Sequence, residues 1–211
     1  MLSKIILIGG GGHCHACIDV IESTQQYEIV GIIDTKEKIG QEVLGYRIIG
    51  EDSDIPSLIN DDTYFLITVG HIKSPHVRKK IFDNLLKDKA QIATIISPLA
   101  HVSKHSRIGA GTIIMHRAIV GPNVEIGTNT IINTNADIEH DSRVGANCHI
   151  STHAVLNGNC IVGDDVFVGS NSTLFQGVQI IDNVVISAGS VVRKNIKKSG
   201  VYLNNQFIAN V

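Results

Sequence analysis

From Ile96 onward every sixth residue is aliphatic without interruption: Ile96, Val102, Ile108, Ile114, Val120, Ile126, Ile132, Ile138, Val144, Ile150, Leu156, Val162, Val168, Leu174, Ile180, Ile186 and Val192. Four positions beyond each of these the residue is small or β-branched, from Ala100, Ser106, Thr112 and Ala118 through to Ile196. Gly or Asn often follows the aliphatic residue directly, as at Gly109, Gly121, Gly127, Asn133, Gly145 and Gly163. A period of six is neither that of an amphipathic helix nor that of a simple alternating strand. It fits short straight strands joined by tight turns, each strand sending one large and one small side chain into a narrow core. Gly and Asn would supply the turn conformations that a β-carbon resists. Hexads of this kind predict a parallel β-helix, here over residues 96–198, followed by a C-terminal tail over 199–211.

Residues 1–95 follow a different rule. Lys4–Ile8 is a short aliphatic run ended by four glycines, Gly9 to Gly12, and His15–Ser23 then carries apolar residues at helical spacing. Ile29–Ile33 and Tyr64–Val69 read as further strands, ending at Asp34 and at Gly70-His71. Pro75–Leu86 reads as a helix with its basic residues on the outer side. Strands alternating with helices predict a Rossmann-like α/β domain with a parallel sheet.

Composition narrows the classes of function. With 43% hydrophobic and 18% charged residues the chain is globular. A net charge of −2 gives no electrostatic case for nucleic acid or for an anionic membrane. No apolar run approaches the length of a membrane span, and the N-terminus lacks the apolar core of a signal peptide, so a cytoplasmic protein is expected. Cys14 and Cys17 form a C-x-x-C pair without a second pair at zinc spacing, and are expected to be packed thiols in the first helix.

Two places carry candidate chemistry. Gly9–Gly12 at a strand–helix junction would let the backbone approach a phosphate at a helix N-terminus. The glycines do not fit the G-x-G-x-x-G dinucleotide pattern, since Cys14 or His15 falls at its last glycine. Asp34 stands where an acidic residue accepts hydrogen bonds from a ribose or base. In the hexads, His140 and Asp141 fall between the inward positions Ile138 and Ser142 and are expected to face outward. An imidazole beside a carboxylate is a candidate general base. His149 is also outside the inward set and is expected at the surface. His101/His105 and His149/His153 have the short spacing of the zinc ligands of β-helical carbonic anhydrases. The matching long offset is missing, so no metal is expected.

The glycine turn with Gly12-His13, Asp34, Gly70, the hexads and N-T-N-A-D-I-E-H-D over 133–141 together resemble the bacterial sugar O- and N-acyltransferases of the NeuD and PglD type, within the hexapeptide-repeat transferases. The resemblance covers nearly the whole chain. It implies three hexads per coil, hence between five and six coils, and a left-handed helix. It also implies a homotrimer with active sites between neighbouring β-helices, in which a β-helix left alone would expose Phe167 and Phe175. The implied reaction is acetyl transfer from acetyl-CoA to the amino group of a nucleotide-linked amino sugar in surface-glycan synthesis. His140 would be the base and Asp141 would orient it. His149, Gly158, Ser170 and Ala188 would bind the acyl-CoA, and Gly11, Gly12, His13, Asp34, Gly70 and His71 the nucleotide sugar. O-acetylation of a sialic-acid-like sugar, and a non-catalytic nucleotide-sugar-binding protein, are the alternatives. The chain departs from the family at its C-terminus, which lacks the terminal G-x-P-A-[KR], and at His71, where Asn is common.

Overall fold

The computed structural model describes residues 2–210; Met1 and Val211, the outer ends of the expected first domain and C-terminal tail, lie outside the described residues. The N-terminal part runs β1 (Ser3–Ile8), α1 (Gly12–Thr24), β2 (Tyr27–Ile33), β3 (Glu42–Val43), β4 (Tyr46–Gly50), α2 (Ile55–Leu58), β5 (Thr63–Ile67), α3 (His76–Lys87) and β6 (Gln91–Ile92). The sheet order is β3-β4-β2-β1-β5-β6, parallel except for the β3–β4 pair. β1 is central because Ile5 to Ile8 are all buried and can be covered on both faces. The chain leaves β1 to one side for β2 and to the other for β5. The carboxyl ends of these three strands therefore meet around a crevice.

The hexads form the expected parallel β-helix. Each inward residue pairs with the one eighteen positions on, as in Ile114–Ile132–Ile150–Val168–Ile186, so three hexads make one coil. The coil has three faces. The first face holds strands such as His149–Ile150, the second strands such as Asp137–Ile138, and the third strands such as Arg143–Val144. Ile114, Ile132, Ile150, Val168 and Ile186 are fully buried, whereas Ile96 on the first coil is 40% exposed. The tail pairs onto the first face as a hairpin of Gly200–Leu203 and Gln206–Ala209.

The turns differ from the sequence expectation in one respect. The left-handed residue is not the glycine after the aliphatic position but the residue two further on: Asn123, Asn129, Asn135, Asp141, Asn147 and Asn159 all have φ between 54° and 61°. Asn and Asp tolerate this conformation because their short side chains bond locally. The glycines serve close stacking instead. A Cβ on Gly127 would lie 2.5 Å from the Gly145 carbonyl carbon of the next coil.

The α/β domain sits on the first face. Ile95, Ile113, Met115 and Ile131 share one core with Cys14, Cys17, Ile18 and Ile21, so the two cysteines are packed thiols as expected. This covering overturns one exposure: Phe167 is only 8% exposed, edge-on to the His149 ring at 5.2 Å, while Phe175 is 42% exposed. Two polar contacts stitch the junction at its rim. Lys79 pairs with Asp165 at 2.8 Å. His116 Nδ1 is hydrogen-bonded to Ser97 Oγ at 2.6 Å and its Nε2 to Asp19 at 3.0 Å. The composition of a hydrolase triad is present there, but Ser97 is 1% exposed and cannot meet a substrate, so this relay is a domain clamp.

Candidate active site

The crevice at the ends of β1, β2 and β5 is a cavity of about 610 Å³, lined by Gly9, Gly11, Gly12, His13, Asp34, Thr68, Val69, Gly70, His71, Ile72 and His149. All six residues expected to bind the nucleotide sugar are on this wall. Gly11 caps α1 and Gly12 begins it, and a Cβ added to either would meet nothing within 4 Å. The open side of these glycines and the unpaired N–H groups of a helix start together make an anion cradle. Gly9, at φ +105°, is required by backbone conformation.

Asp34 is already well supplied with donors. Its Oδ2 accepts from the Gly10 N–H at 2.7 Å, its Oδ1 from the Thr35 N–H at 2.6 Å, and Lys38 Nζ reaches both oxygens at 3.0 Å. Burial opposes its charge, but these hydrogen bonds outweigh burial and hold the carboxyl below the usual range.

The floor of the cavity corrects the placement of His149. It is not a surface residue: it is 7% exposed because the α/β domain covers the first face. Its Nδ1 donates to the His71 carbonyl at 2.8 Å, which leaves Nε2 to accept from the Asn133 amide at 3.0 Å. Both nitrogens are thereby satisfied in a neutral ring. His71 and His13 stand beside it at 5.6 and 6.2 Å between centroids. Both ring nitrogens of His71 and Nε2 of His13 are buried without a protein partner. Burial, the neighbouring histidines and Arg78 push His13 and His71 down to about 3; burial, with Arg78, takes His149 to about 4. Each of these rings takes up a proton more readily in the unfolded chain. Stability is therefore full above about 6.5 and falls with pH toward 4, by about 1.4 kcal/mol per pH unit for each histidine involved. Urea titrations at pH 7.5, 6.5, 5.5 and 4.5 should show that fall; a flat profile would mean the rings are not held neutral.

Arg78 also departs from the sequence expectation, which put the basic residues of this helix on its outer side: it lies on the face of Ile81, Phe82 and Leu85 and is fully buried. It bonds only to carbonyls, those of Ile67, Val69, Gly111 and Asn129.

The second candidate group lies elsewhere. His140 and Asp141 occupy the turn between the second and third faces, half-exposed as expected, beside a hollow of about 580 Å³ lined also by Asn123, Arg143, Asn159, Ile161 and Gln176. The left-handed conformation of Asp141 turns its carboxylate back so that Oδ2 accepts from His140 Nδ1 at 2.8 Å, while Oδ1 accepts from the Asn123 amide at 2.7 Å. These two bonds hold the Asp141 carboxyl below its ordinary range. Because the carboxylate only accepts, Nδ1 carries the proton and Nε2 presents a lone pair. Gly158, one coil on, lies against that lone pair: a Cβ there would be 2.6 Å from Nε2. Ser170 and Ala188 sit on another turn, between the first and second faces, with Ser170 Oγ bonded to Ser151 Oγ at 2.9 Å. The structure thus gathers His140, Asp141 and Gly158 in one place and His149 with the cavity in another. The turn bearing His140 is opposite the first face, across the coil from the cavity of the same chain. Among the described residues no group of three or more His, Cys, Asp or Glu is arranged to hold a metal, and no helix is long and apolar enough to cross a membrane.

A Rossmann-like domain seated on a hexad β-helix, with a carboxylate-backed histidine on an outer turn, is an arrangement this chain shares with hexapeptide-repeat transferases. Residues 4–85 match the PglD N-terminal domain and residues 100–140 and 141–176 match bacterial transferase hexapeptide repeats; residues 159–194 also match the hexapeptide repeat of succinyl-transferase. The chain is 31% identical over 116 residues to the UDP-N-acetylbacillosamine N-acetyltransferase of Bacillus subtilis (strain 168), a match over 54% of this chain and 52% of that one, so it spans about half of that relative's length. The acetyltransferase domain of PglB from Neisseria gonorrhoeae FA1090 shares the fold, with a TM-score of 0.90 over 98% of this chain and 99% of that one, at 24% identity. PerB from Caulobacter crescentus, solved with CoA and GDP-perosamine, matches with a TM-score of 0.87 at 27% identity, over 95% of this chain and 94% of that one.

Proposed function

We propose that the protein is an acetyl-CoA-dependent N-acetyltransferase of a nucleotide-linked amino sugar, working in the cytoplasm as a homotrimer in surface-glycan synthesis. The observation that carries this is the His140–Asp141–Asn123 relay, which fixes a basic Nε2 beside the space left by Gly158. The cavity accounts for the acceptor: the nucleotide at Asp34, the diphosphate at Gly11 and Gly12, and the sugar toward His13 and His71. PerB, with CoA and GDP-perosamine bound, supports the pairing of these two ligand classes on this fold.

Since His140 and the cavity of one chain are on opposite sides of the coil, a complete site takes His140 from one copy and the cavity from the next. The second face runs between the turn of His140 and the turn of Ser170 and Ala188, and it presents Ile119, Val155 and Val191 outward. Packing copies through this face brings the two turns together and lays the acyl-CoA between them. The donor's acetyl group then meets the cavity floor, where His149 stands. The amine attacks the thioester carbonyl as His140 takes one of its protons; the C–S bond breaks and the thiolate leaves, to be protonated as free CoA. The thioester is already activated, so alignment, one base and backbone N–H groups for the oxyanion suffice.

The test is a panel of nucleotide amino sugars, with a hydroxyl-bearing sialic-acid-like arm, incubated with acetyl-CoA and read by free-thiol release. Turnover on the hydroxyl arm alone would replace N- by O-acetylation, and no turnover on any arm would favour a binding protein. Light scattering should give a trimer; a monomer across micromolar concentrations would sink the shared site. Asp34→Ala should weaken nucleotide-sugar binding about tenfold or more, the scale of lost hydrogen bonds to a charged group, while acetyl-CoA affinity stays put. Calorimetric titration of both ligands checks it, and equal loss of both would refute the assignment of the nucleotide to Asp34.

A further inference from the structure

We propose that Arg78 is a positioning residue for the acceptor cavity: it pins the strand end that carries Gly70 and His71 at a set height over the β-helix, and so decides how well the nucleotide sugar binds. This rests on the reading of that cavity as the acceptor site.

Arg78 is the largest fully buried side chain in the described protein, and no carboxylate bonds to it. Burying an unpaired cation is costly, and well-packed apolar residues commonly replace buried charges without loss of stability. Adhesion between the domains is already supplied by the shared apolar core and the rim contacts of Lys79 and His116. A buried guanidinium therefore needs a task that an apolar side chain cannot perform.

The geometry supplies one. Nη1 donates to the carbonyls of Ile67 and Val69, the latter at 3.0 Å, at the end of β5; Nε donates to Asn129 at 3.1 Å and Nη2 to Gly111 at 3.3 Å, on two β-helix turns. The planar fork reaches three separate backbone stretches at once, which the compact ammonium of lysine cannot do. Two residues further on, the His71 carbonyl is held by His149, which Asn133 fixes in turn. The wall from 67 to 71 is thus pinned to the β-helix at 67, 69 and 71, and Gly70 and His71, which face the ligand, are placed by those pins. The nearby charge also helps to keep the three floor histidines neutral.

The experiment compares wild type, Arg78→Lys, Arg78→Met and His71→Ala in the assembled full chain, by steady-state kinetics and hydrogen exchange. For Arg78→Lys we expect the KM for nucleotide sugar to rise about tenfold or more, with kcat and the KM for acetyl-CoA within about threefold, because only ground-state placement of one substrate is lost. Exchange of the 67–72 segment should quicken while β-helix segments keep their protection. A melting temperature that falls with an unchanged nucleotide-sugar KM would make Arg78 mere scaffolding and overturn the proposal. Should neither Arg78 variant fold, the ligand-free wild type decides: protection of 67–72 at the level of the β1 core supports the pins, and fast exchange that slows only on ligand binding overturns them. If His71→Ala raises the nucleotide-sugar KM and Arg78→Lys does not, the positioning role alone fails. If neither does so in an enzyme that turns over, the cavity is not the acceptor site.

Discussion

His140→Ala is expected to lower kcat by about 10²–10⁴-fold, the usual worth of a general base, with the KM for acetyl-CoA little changed. A protonated amine has no lone pair with which to attack, and a neutral one becomes positively charged as its bond to carbon forms and must shed one of its own protons. The proton acceptor must stand beside the reacting nitrogen, and Nε2 of His140 is the lone pair that the Asp141 bond leaves free. Asp141→Asn should cost less. An amide that offers its oxygen still accepts from Nδ1 but no longer stabilises the charged ring. His149→Ala should act differently, since both its nitrogens are engaged and it has no free lone pair: it should loosen His71 and raise substrate KM values more than it lowers kcat. Full activity in the His140→Ala variant would remove His140 from the chemistry and leave deprotonation to solvent.

The parts of the molecule that were legible in the sequence are those governed by a local rule. The hexads declare the β-helix because each inward position faces the same narrow core. The six cavity residues were found as three separate strand endings, and a parallel sheet brings such endings together of itself. His140 and Asp141 are neighbours in sequence, so their pairing needed only an outward-facing turn. What escaped depends on the packing of one domain on the other. Phe167 and His149 point out of the β-helix and are buried only because the α/β domain lies there. Arg78 shares the helix face of Ile81, Phe82 and Leu85, but its charge argued for solvent, and nothing local tells that a β-helix turn waits over it. The left-handed turn residues form a second period of six, Asn123, Asn129, Asn135, Asp141 and Asn147, two positions after the sites, often Gly or Asn, at which the sequence suggests the turn.

Two inactive variants are expected to restore activity when assembled together, because each chain carries the two halves of a site on opposite sides. The first is His140→Ala, which keeps its cavity. The second is Gly11→Asp, which keeps His140. Gly11 is the N-cap of α1, with backbone angles that suit an aspartate and open space where its Cβ would go, so the change should fold well. The added carboxylate would occupy the cradle and repel a diphosphate, and alone should abolish turnover at ordinary substrate concentrations. Mixed after dissociation or by coexpression in equal amounts, the chains assort at random around a closed ring. A site then joins an intact His140 to an intact cavity in about a quarter of cases, so about a quarter of wild-type kcat should return. The cross-complemented sites contain wild-type residues throughout, so their KM values should match those of the wild type. The measurement is thiol release by the mixture against each variant at the same total concentration. Mixed trimers, confirmed by differently tagged chains, that stay inactive would show that the cavity and His140 of one site belong to the same copy.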